Sequence, residues 1–383
     1  MAKKSVEKDA KEARLKEICA AINGGTFGGE GHDAVTYLGL QEMQHLERFP
    51  SGCPALDEAL GGGWPRGRFI ELYGPESGGK TSIALHAIAE FQKKYPNELA
   101  ALVDAEFSAD MDYASNLKVD VKSLIIHQPN SGEQAMNVIR QLIQNGVRCI
   151  VVDSVAALTT RAELEGDIGD VQVADQARMM SRGLRTLTGE AGSRGVTVFW
   201  TNQVREKIGV SYGDHTTTPA GRALKHYASI RVQISRIGTV KEKIDGEDVV
   251  VSARTKADVK KNKCSAPFKK AEFYISFGHG IDQTAGILDD AMSKNIVVKR
   301  GAWFQFGDEQ LAQGRNATLQ RMRDEPDLSQ RIVDAAMVVS PVEKATEEIA
   351  PKNEKVKKDK DSLEATEEEG GEVIEAEAEV TDA

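Results

Sequence analysis

Cysteines, aromatic residues and long hydrophobic runs are scarce in this sequence. The four cysteines lie far apart and none has CxxC spacing, so neither a disulfide framework nor a zinc module is expected and a reducing compartment fits. No stretch approaches the roughly 20 uncharged apolar residues that span a bilayer. The N-terminal stretch MAKKSVEKDAKEARLKE is charged from the start and lacks the apolar run of a secretory signal. We therefore expect a cytoplasmic protein with no membrane partner.

The negative charge is concentrated near the end of the chain. Residues 362–383 contain nine acidic residues and no basic one, whereas the formal net charge of the whole chain is −10. The other residues are therefore close to neutral, and a neutral body can still carry a basic face that binds nucleic acid. Residues 341–383 lack aromatic residues and are rich in Glu, Lys and Ala, so we predict a disordered acidic tail there.

Residues 1–49 predict an N-terminal helix followed by a linker. Apolar residues recur at helical spacing over residues 3–24, namely at Leu15, Ile18, Cys19 and Ile22. Gly24 and Gly25 end the pattern. Two interpretations stay open: the helix docks on a neighbouring subunit, or it folds back on its own chain.

Residues 50–277 alternate between apolar strand patterns and helical patterns. Strands are predicted at residues 69–73, 100–103, 149–152, 196–200 and 230–234, and helices at residues 81–93 and 173–187. Buried strands that alternate with helices predict an α/β domain with a mainly parallel twisted sheet flanked by helices. The mixed apolar content of residues 278–340 predicts a small α+β C-terminal domain.

The segment 74–81 matches the phosphate-binding pattern GxxxxGK[ST]. Its residues are Gly74, Pro75, Glu76, Ser77, Gly78, Gly79, Lys80 and Thr81. Glycines let backbone N–H groups turn inward around phosphate oxygens, and the N-terminus of the following helix adds a partial positive charge. Lys80 supplies a charge for the β- and γ-phosphates, and Thr81 supplies a hydroxyl for Mg²⁺. The pattern predicts a nucleotide site with Mg²⁺, and a purely structural glycine turn is the alternative.

Carboxylates follow two of the predicted strands. Asp153 ends the run CIVVD, where a carboxylate suits the water shell of Mg²⁺, and capping of the next helix is its alternative role. Glu106 follows the strand that ends at Val103 and is a candidate to activate the attacking water. Asp104 and Asp110 compete with Glu106 for that role on spacing alone.

Seven segments in this order resemble the bacterial RecA recombinase family over about residues 50–340. They are GPESGGKT, VDAEFSAD, VVDSVAAL, EGDIGD, TNQVREKIGV, TTTPAGRALKHYAS and KKNKCSAPFK. The resemblance implies a RecA-like P-loop ATPase core that binds ATP between adjacent subunits of a helical filament on single-stranded DNA. It also implies pairing of that strand with a homologous duplex and strand exchange in recombinational repair.

The resemblance implies roles for individual residues of the ATP site. Glu106 takes the position that activates water, and Tyr113 takes that of the residue that stacks on adenine, with a place in the core as its alternative. Gln203 matches the sensor of the γ-phosphate. Lys261 and Lys263 match lysines that reach the ATP of the neighbouring subunit, with a solvated basic run as their alternative. The ATP-binding set that we predict also includes Asp110 and Asp153.

Two Gly-rich segments match the DNA-binding loops of the family and, on the residues alone, indicate flexible loops. In the first loop and the helix after it, the candidates are Glu165, Gly166, Asp167, Ile168, Gly169, Val171, Gln172 and Arg178. In the second, they are Lys207, Ile208, Gly209, Val210, Tyr212, Gly213, Thr217, Thr218, Gly221 and Arg222. Basic and hydroxyl groups suit phosphates, and apolar side chains can wedge or stack between bases.

The sequence departs from the family pattern mainly in these loops and at the subunit interface. The departures are Gly78, Val171, Gln172, Val173, Tyr212, Thr216, Ala220, Arg222 and His226. The residues expected to carry out ATP chemistry are unchanged. The departures fall where the family couples ATP to DNA and to neighbouring subunits, so those details are not predicted for this chain. In the C-terminal segment, Lys294, Lys299 and Arg300 are candidates for collecting duplex DNA, with ordinary surface charge as the alternative.

Two other functions remain as alternatives. One is a hexameric helicase with the same ATPase core, and the other is a DNA-coating filament whose ATP site is inactive. Family resemblance also brings in candidate partners that the sequence does not decide: a LexA-type repressor whose self-cleavage is stimulated in the SOS response, and single-strand-binding or mediator proteins.

Overall fold

A nine-stranded twisted sheet organises the part of the chain that the computed structural model describes, which comprises residues 2–23, 46–167, 174–206, 216–219, 221–244 and 247–338. The described residues belong to one compact unit. The sheet carries helices on both faces, and a small antiparallel sheet with its own helices follows it. This is the α/β architecture with a small α+β C-terminal part that the alternation of patterns predicts.

The helices of the described chain, in order, are α1 (Ala2–Asn23), α2 (Pro54–Leu60), α3 (Lys80–Lys94), α4 (Met111–Asn116), α5 (Gly132–Gln144), α6 (Arg161–Glu165), α7 (Asp175–Ser193), α8 (Ala223–Tyr227), α9 (Gln283–Ser293), α10 (Arg315–Asp324) and α11 (Pro326–Val338). The strands are β1 (Arg48–Phe49), β2 (Trp64–Pro65), β3 (Phe69–Gly74), β4 (Leu99–Asp104), β5 (Leu124–His127), β6 (Val147–Asp153), β7 (Thr197–Gln203), β8 (Arg205–Glu206), β9 (Thr216–Thr217), β10 (Ile230–Ile244), β11 (Glu247–Asn262), β12 (Lys270–Ser276), β13 (Gly280–Ile281), β14 (Val297–Arg300), β15 (Trp303–Phe306) and β16 (Glu309–Gln313).

The large sheet has a parallel half and an antiparallel half. Its strand order is β13-β12-β11-β10-β3-β7-β6-β4-β5. Neighbours from β10 through β3, β7, β6 and β4 to β5 run parallel, whereas β10, β11, β12 and β13 pair antiparallel. The carboxyl ends of the parallel strands therefore meet at one edge of the sheet, which is where ligands bind in folds of this class.

Both faces of the parallel half are buried, which explains the continuous apolar runs in the sequence. One face packs with residues of α2 and α3, such as Leu56 and Ile88. The other face packs with residues of α5 and α7, such as Ile139 and Leu184. Strand β3 is buried along its whole length, so a polar side chain in it needs a partner inside the protein.

The C-terminal segment has its own apolar core. Strands β14, β15 and β16 form a three-stranded antiparallel sheet, and α9, α10 and α11 pack with it around residues such as Leu288, Phe304 and Ile332. Strand β13 pairs with β12 in the large sheet, so Gly280 and Ile281 are placed there rather than in the small one. The division of the chain into four parts stays a prediction. The acidic tail and residues 24–45 of the predicted linker lie outside the described residues.

Two features differ from what the loop patterns indicated. Arg205 and Glu206 pair with Thr217 and Thr216, so a short antiparallel ladder closes the base of the second predicted DNA loop. Strands β10 and β11, of 15 and 16 residues, form a long hairpin.

Within the described residues, no helix is both long enough and apolar enough to cross a lipid bilayer.

Candidate active site

The predicted site residues lie at the carboxyl edge of the parallel strands. Gly74 ends β3 and is paired in register with Gln203, which ends β7. Asp104 ends β4 and is paired with Asp153, which ends β6. These four residues, which are far apart in the sequence, therefore lie at one edge of the sheet, with Gln203 two residues beyond the level of Asp153.

The predicted phosphate-binding loop turns tightly from β3 into α3. A Cβ atom on Gly74 would overlap the carbonyl oxygen of Ile234 in β10, so a side chain does not fit there. Gly79 has φ of +95°, a left-handed conformation that glycine adopts without strain, and it lies against Ile275. Helix α3 begins at Lys80, directly after this turn. The loop thus presents the N-terminus of a 15-residue helix at the site.

Lys80 places its ammonium group at the mouth of this loop. Its Nζ donates to the carbonyl oxygens of Pro75 at 2.8 Å and Gly74 at 3.2 Å. Burial lowers the pKa of Lys80, while Asp153, Glu106 and Glu76 act in the opposite direction. A partly buried cation that faces carboxylates is suited to attract and hold phosphate oxygens.

Thr81 and Asp153 form the group of oxygen atoms that fits Mg²⁺. The Thr81 hydroxyl donates to Oδ2 of Asp153 at 2.7 Å, and the hydroxyl of Thr201 donates to Oδ1. Burial raises the pKa of the Asp153 carboxyl, the hydrogen bonds from Thr201 and Thr81 lower it in part, and the charges of Glu106 and Asp104 raise it. A carboxylate buried next to other carboxylates is stabilised by a cation, and Mg²⁺ commonly uses one or two protein oxygens together with waters and phosphates. These residues therefore fit the metal.

The three candidate carboxylates for activating water have different surroundings. Asp104 is 2% exposed and accepts hydrogen bonds from the N–H groups of Ser108 and Ala109 and from Gln128. Asp110 caps α4 by accepting from the N–H of Tyr113 at 2.9 Å. The structure thus gives both aspartates structural partners.

Glu106 is exposed at the site and is held close to Asp153. The N–H of Glu106 donates to the carbonyl oxygen of Asp153 at 3.3 Å. The Ser154 hydroxyl donates to the carboxylate of Glu106, which is exposed. Glu106 therefore keeps a carboxylate oriented toward solvent beside the predicted phosphate loop. This placement favours it over Asp104 and Asp110 as the group that positions water.

A cleft of about 340 Å³ extends from the loop between two walls. Tyr113 lies on one wall, and its hydroxyl is 2.6 Å from that of Ser82, the residue after Thr81. Residues of β11 and β12, together with Phe277, line the other wall. A half-buried aromatic ring tied to the start of α3 is placed to contact the base of a nucleotide whose phosphates lie in the loop.

The other predicted ATP residues lie on strands that continue across the sheet. Gln203 is half-buried at the end of β7, and its N–H donates to Oδ1 of Asn202 at 3.0 Å. Lys261 in β11 donates through Nζ to the carbonyl oxygens of Lys225 at 2.7 Å and His226 at 3.1 Å. Lys263 is exposed just beyond the end of β11. Strand β10 thus separates β11, which carries Lys261, from β3 and the predicted phosphate loop. The contact of the two lysines with a second subunit stays a prediction.

Part of each predicted DNA loop lies outside the described residues. These candidates are Ile168, Gly169, Val171, Gln172, Lys207, Ile208, Gly209, Val210, Tyr212 and Gly213. Of the described candidates, Glu165 ends α6 and is followed by Gly166 and Asp167, Thr217 lies in β9, and Thr218 is buried. Arg222 is the N-cap residue of α8.

The ends of the two loops come together at helix α7. A Cβ atom on Gly221, which has φ of +76°, would lie 3.0 Å from that of Ala177. Arg178 follows Ala177, is largely exposed, and pairs with Asp175 at 2.8 Å. Gln176 donates to the carbonyl oxygens of Val155 and Leu158, close to Asp153. The described ends of both predicted loops therefore lie next to the carboxyl edge of the parallel strands.

Several polar residues at this edge were not among the predicted site residues. Thr201 and Ser154 orient Asp153 and Glu106, and Ser82 contacts Tyr113. Glu71 and Asn202 are fully buried and are hydrogen-bonded to each other. The signal that could have indicated them is a polar residue inside or at the end of an otherwise apolar strand pattern.

Comparison with known proteins agrees with this geometry. Residues 17–282 match the model of the RecA N-terminal domain, and residues 285–338 match that of the RecA C-terminal domain. The chain belongs to the RecA family. It is 46% identical over 317 residues to Protein RecA of Prochlorococcus marinus, which covers 82% of this chain and 84% of the relative. It is 44% identical over 333 residues to Protein RecA of Lactobacillus johnsonii, which covers 86% of this chain and 91% of the relative.

Proposed function

We propose that this RecA family member is a DNA-dependent ATPase that forms filaments on single-stranded DNA and catalyses homologous pairing and strand exchange. Membership of the family supports a recombinase role in DNA repair, with ATP and DNA as ligands. The observation that carries the proposal is the convergence of Lys80, Thr81, Asp153 and Glu106 at one edge of the sheet, beside the anchors of both loops.

In this proposal each residue at the edge has a separate task in hydrolysis. The turn at Gly74 and Gly79 and the start of α3 hold the phosphates, and Lys80 neutralises charge on the β- and γ-phosphates. Thr81 and Asp153 hold Mg²⁺, which when bound offsets the negative charge that develops on the phosphate oxygens. Glu106 orients the attacking water and accepts its proton, while Ser154 fixes the direction of the carboxylate.

Strand exchange itself needs no covalent step by the protein. The base pairs lost and gained are nearly equal in energy, as they are in guide-directed invasion of a duplex. The protein therefore has to hold one strand extended, with its bases accessible, and then release it. Contacts of basic groups to phosphates give affinity that is independent of sequence, and base pairing reads the sequence.

ATP acts as the switch between holding and release. Gln203 ends β7, and the chain continues from it through β8 into the second predicted DNA loop. A contact between Gln203 and the γ-phosphate orders that loop, and hydrolysis removes the contact. With Lys261 and Lys263 facing the nucleotide of the next subunit, each ATP also joins two subunits of the filament.

Further partners follow from the family alone and belong to the same proposal. They are a LexA-type repressor, whose self-cleavage the filament stimulates in an SOS response, and single-strand-binding or mediator proteins. Work of this kind takes place in the cytoplasm. Lys294, Lys299 and Arg300 remain the candidates for collecting duplex DNA. Of the three, Lys299 and Arg300 lie in the exposed part of β14, whereas Lys294 pairs with Asp290 at 2.8 Å.

A three-strand exchange assay tests the proposal. We expect product from a homologous duplex with ATP and Mg²⁺, and none from a heterologous duplex. Lys80→Ala is the control variant, and it should abolish both ATP turnover and exchange. Equal product from both duplexes, or product from neither, would contradict the recombinase function. Strand separation by a ring seen in electron microscopy would instead support the helicase alternative.

A further inference from the structure

A chain of hydrogen bonds with a buried centre runs across the sheet from Gln203 to Arg231, which lies beside Lys261. The N–H of Gln203 donates to Oδ1 of Asn202 at 3.0 Å, and Nδ2 of Asn202 donates to Oε1 of Glu71 at 3.2 Å. Nε of Arg231 donates to Oε2 of the same carboxylate. Strand register places Glu71 opposite Arg231, whereas Asn202 lies opposite Tyr73, two residues along β3 from Glu71. The hydrogen bonds therefore span β7, β3 and β10, and Lys261 is the register neighbour of Arg231 on β11.

Glu71 is the centre of this chain, and burial of its carboxylate is unfavourable for stability unless it has partners. Its side chain is fully buried in the middle of β3, where an apolar residue would pack without any need for partners. Burial of an unpaired carboxylate costs several kcal/mol, so the stability of the strand depends on Asn202 and Arg231. Arg231 is held from its other side by the ring of Tyr73, with 4.4 Å between the guanidinium carbon and the ring centroid.

Lys261 lies between Arg231, its register partner, and the helix that follows the second predicted DNA loop. Its ammonium donates to two carbonyl oxygens of α8, the helix that follows this loop. Burial lowers the pKa of Lys261, as do the neighbouring charges of Lys263 and Arg231, whereas Glu71 acts in the opposite direction. Lys261 is thus a partly buried cation whose neighbours across the sheet are Arg231 and, beyond it, Glu71.

We propose that Glu71 and Asn202 are positioning residues that couple the nucleotide contacted by Gln203 to the nucleotide that Lys261 reaches in the neighbouring subunit. The inference rests on the proposed function and adds to it a route for cooperativity between subunits. A movement of the Gln203 backbone changes the hydrogen bond to Asn202, and Asn202 then changes the balance of Glu71 between its partners. Coupling of this kind needs a polar group whose partners differ between two states, and Glu71 has partners on both sides.

Asn202→Ala is the first test, because it removes the link between Gln203 and Glu71 and leaves every proposed phosphate ligand in place. The measurement is the rate of single-strand-stimulated ATP hydrolysis as a function of ATP concentration. We expect the Hill coefficient to fall to about one and the half-saturating ATP concentration to change by at least about fivefold. Thr197→Val is the matched control: Thr197 is buried at the opposite end of β7 and also makes two hydrogen bonds. It should lose stability but keep the Hill coefficient.

The double variant Glu71→Gln/Arg231→Gln distinguishes coupling from a merely structural ion pair, and it also serves if Asn202→Ala does not fold. It removes both charges together and keeps groups that can hydrogen-bond. A structural pair predicts that the double variant regains both the thermal stability and the cooperativity that either single variant loses. The coupling role predicts recovery of stability with a Hill coefficient that stays at about one.

The outcomes separate this inference from the proposed function. Wild-type cooperativity in Asn202→Ala or in the double variant would overturn the coupling role alone, as would a wild-type Hill coefficient of one. A wild-type chain without any DNA-stimulated hydrolysis would overturn the proposed function and the inference with it.

Discussion

Asp104 and Asp153 occupy paired positions at the ends of β4 and β6, yet their surroundings give them different tasks. The carboxylate oxygens of Asp104 accept hydrogen bonds from the turn at residues 108–109 and from Gln128. Asp153 has hydroxyl partners, which can rotate away to accommodate a cation. At the scale of single residues, the chemistry of this site is therefore set by hydrogen-bond partners rather than by residue type.

Glu106→Gln tests this assignment. The variant keeps the shape of the side chain but cannot accept a proton, so we expect the turnover rate of DNA-stimulated ATP hydrolysis to fall by at least about 100-fold, with ATP affinity little changed. Steady-state hydrolysis and nucleotide binding measure the two effects.

Asp104→Asn is the matched control for Glu106→Gln. It weakens a turn that binds two backbone N–H groups, so we expect a lower free energy of unfolding and a turnover rate within several-fold of the wild type. If Asp104→Asn lowered turnover as much as Glu106→Gln, the choice between the two carboxylates would be wrong.

His86 makes stability depend on pH. It lies buried in α3, and Nε2 accepts from the N–H of Ile281 at 2.7 Å. Burial lowers its pKa from the ordinary value of 6.5 to about 4. The unfolded chain therefore binds the proton first as pH falls, and stability is lost between about pH 6.5 and 4, by up to about 3 kcal/mol. Urea unfolding at several pH values measures this loss.

The comparison with His86→Gln isolates the contribution of His86. Burial raises the pKa of Asp57 to about 6, so the folded state holds that proton more tightly and Asp57 produces the opposite slope below pH 6. His86→Gln keeps a group that can accept from Ile281 but does not titrate in this range. Its stability should fall less on acidification than that of the wild type, and an equal fall in both proteins would contradict the role of His86.

Glycines within α7 differ in how much room surrounds them, and this matters at the scale of the element. Gly189 has no heavy atom within 4 Å of the place where a Cβ atom would lie, whereas at Gly183 the Met136 sulfur would be 2.8 Å away. Gly189→Ala should raise the free energy of unfolding by about 0.5–1 kcal/mol, because alanine loses less backbone entropy in a helix. Thermal or urea unfolding measures the gain.

Gly183→Ala is the control in the same helix. It brings the same helix propensity, but its methyl group would lie too close to Met136 in α5. The increase in the free energy of unfolding should therefore be smaller than for Gly189→Ala, or should become a decrease. An equal gain at both positions would mean that α5 and α7 pack more loosely than their contacts indicate.

Charge is distributed unevenly along the whole molecule, and its effect on DNA is predicted from the sequence. Residues 362–383 carry nine acidic residues and no basic one. Their removal takes away negative charge that repels DNA phosphates, so we expect stronger binding to duplex DNA and a lower magnesium requirement. The difference in duplex affinity between the deletion and the wild type should narrow as the salt concentration rises, because screening shortens the range of the repulsion. Binding isotherms over a salt series measure it.

A tail of the same length with every acid of residues 362–383 changed to its amide is the matched control. It keeps the length and bulk of the segment and removes its charge. We expect this variant to bind duplex DNA as the deletion does. Isotherms that overlay for wild type, deletion and neutral tail at low salt would instead assign the segment a role in solubility.

The sequence by itself predicted five strands and two helices of the core and a phosphate-binding loop, but not β5, α5, β11 or β12. Continuous apolar runs at residues 100–103 and 149–152 indicate strands buried on both faces, and their alternation with helical patterns favours a parallel sheet covered by helices. The loop at residues 74–81 was equally readable, because its glycines are needed within a few residues of one another along the chain. Each of these features depends on residues that are close together along the chain, so it can be predicted from a short stretch of sequence.

The tertiary structure decided which carboxylate faces the site and which buried charges have partners. Spacing left Glu106, Asp104 and Asp110 as competitors, and the choice depends on hydrogen bonds from residues as distant as Gln128 and Ser154. Glu71 and Arg231 are 160 positions apart and meet because β3 and β10 are neighbours in the sheet. Contacts of this kind depend on strand order and register, which are set by the packing of the whole sheet and leave no periodic pattern in the chain.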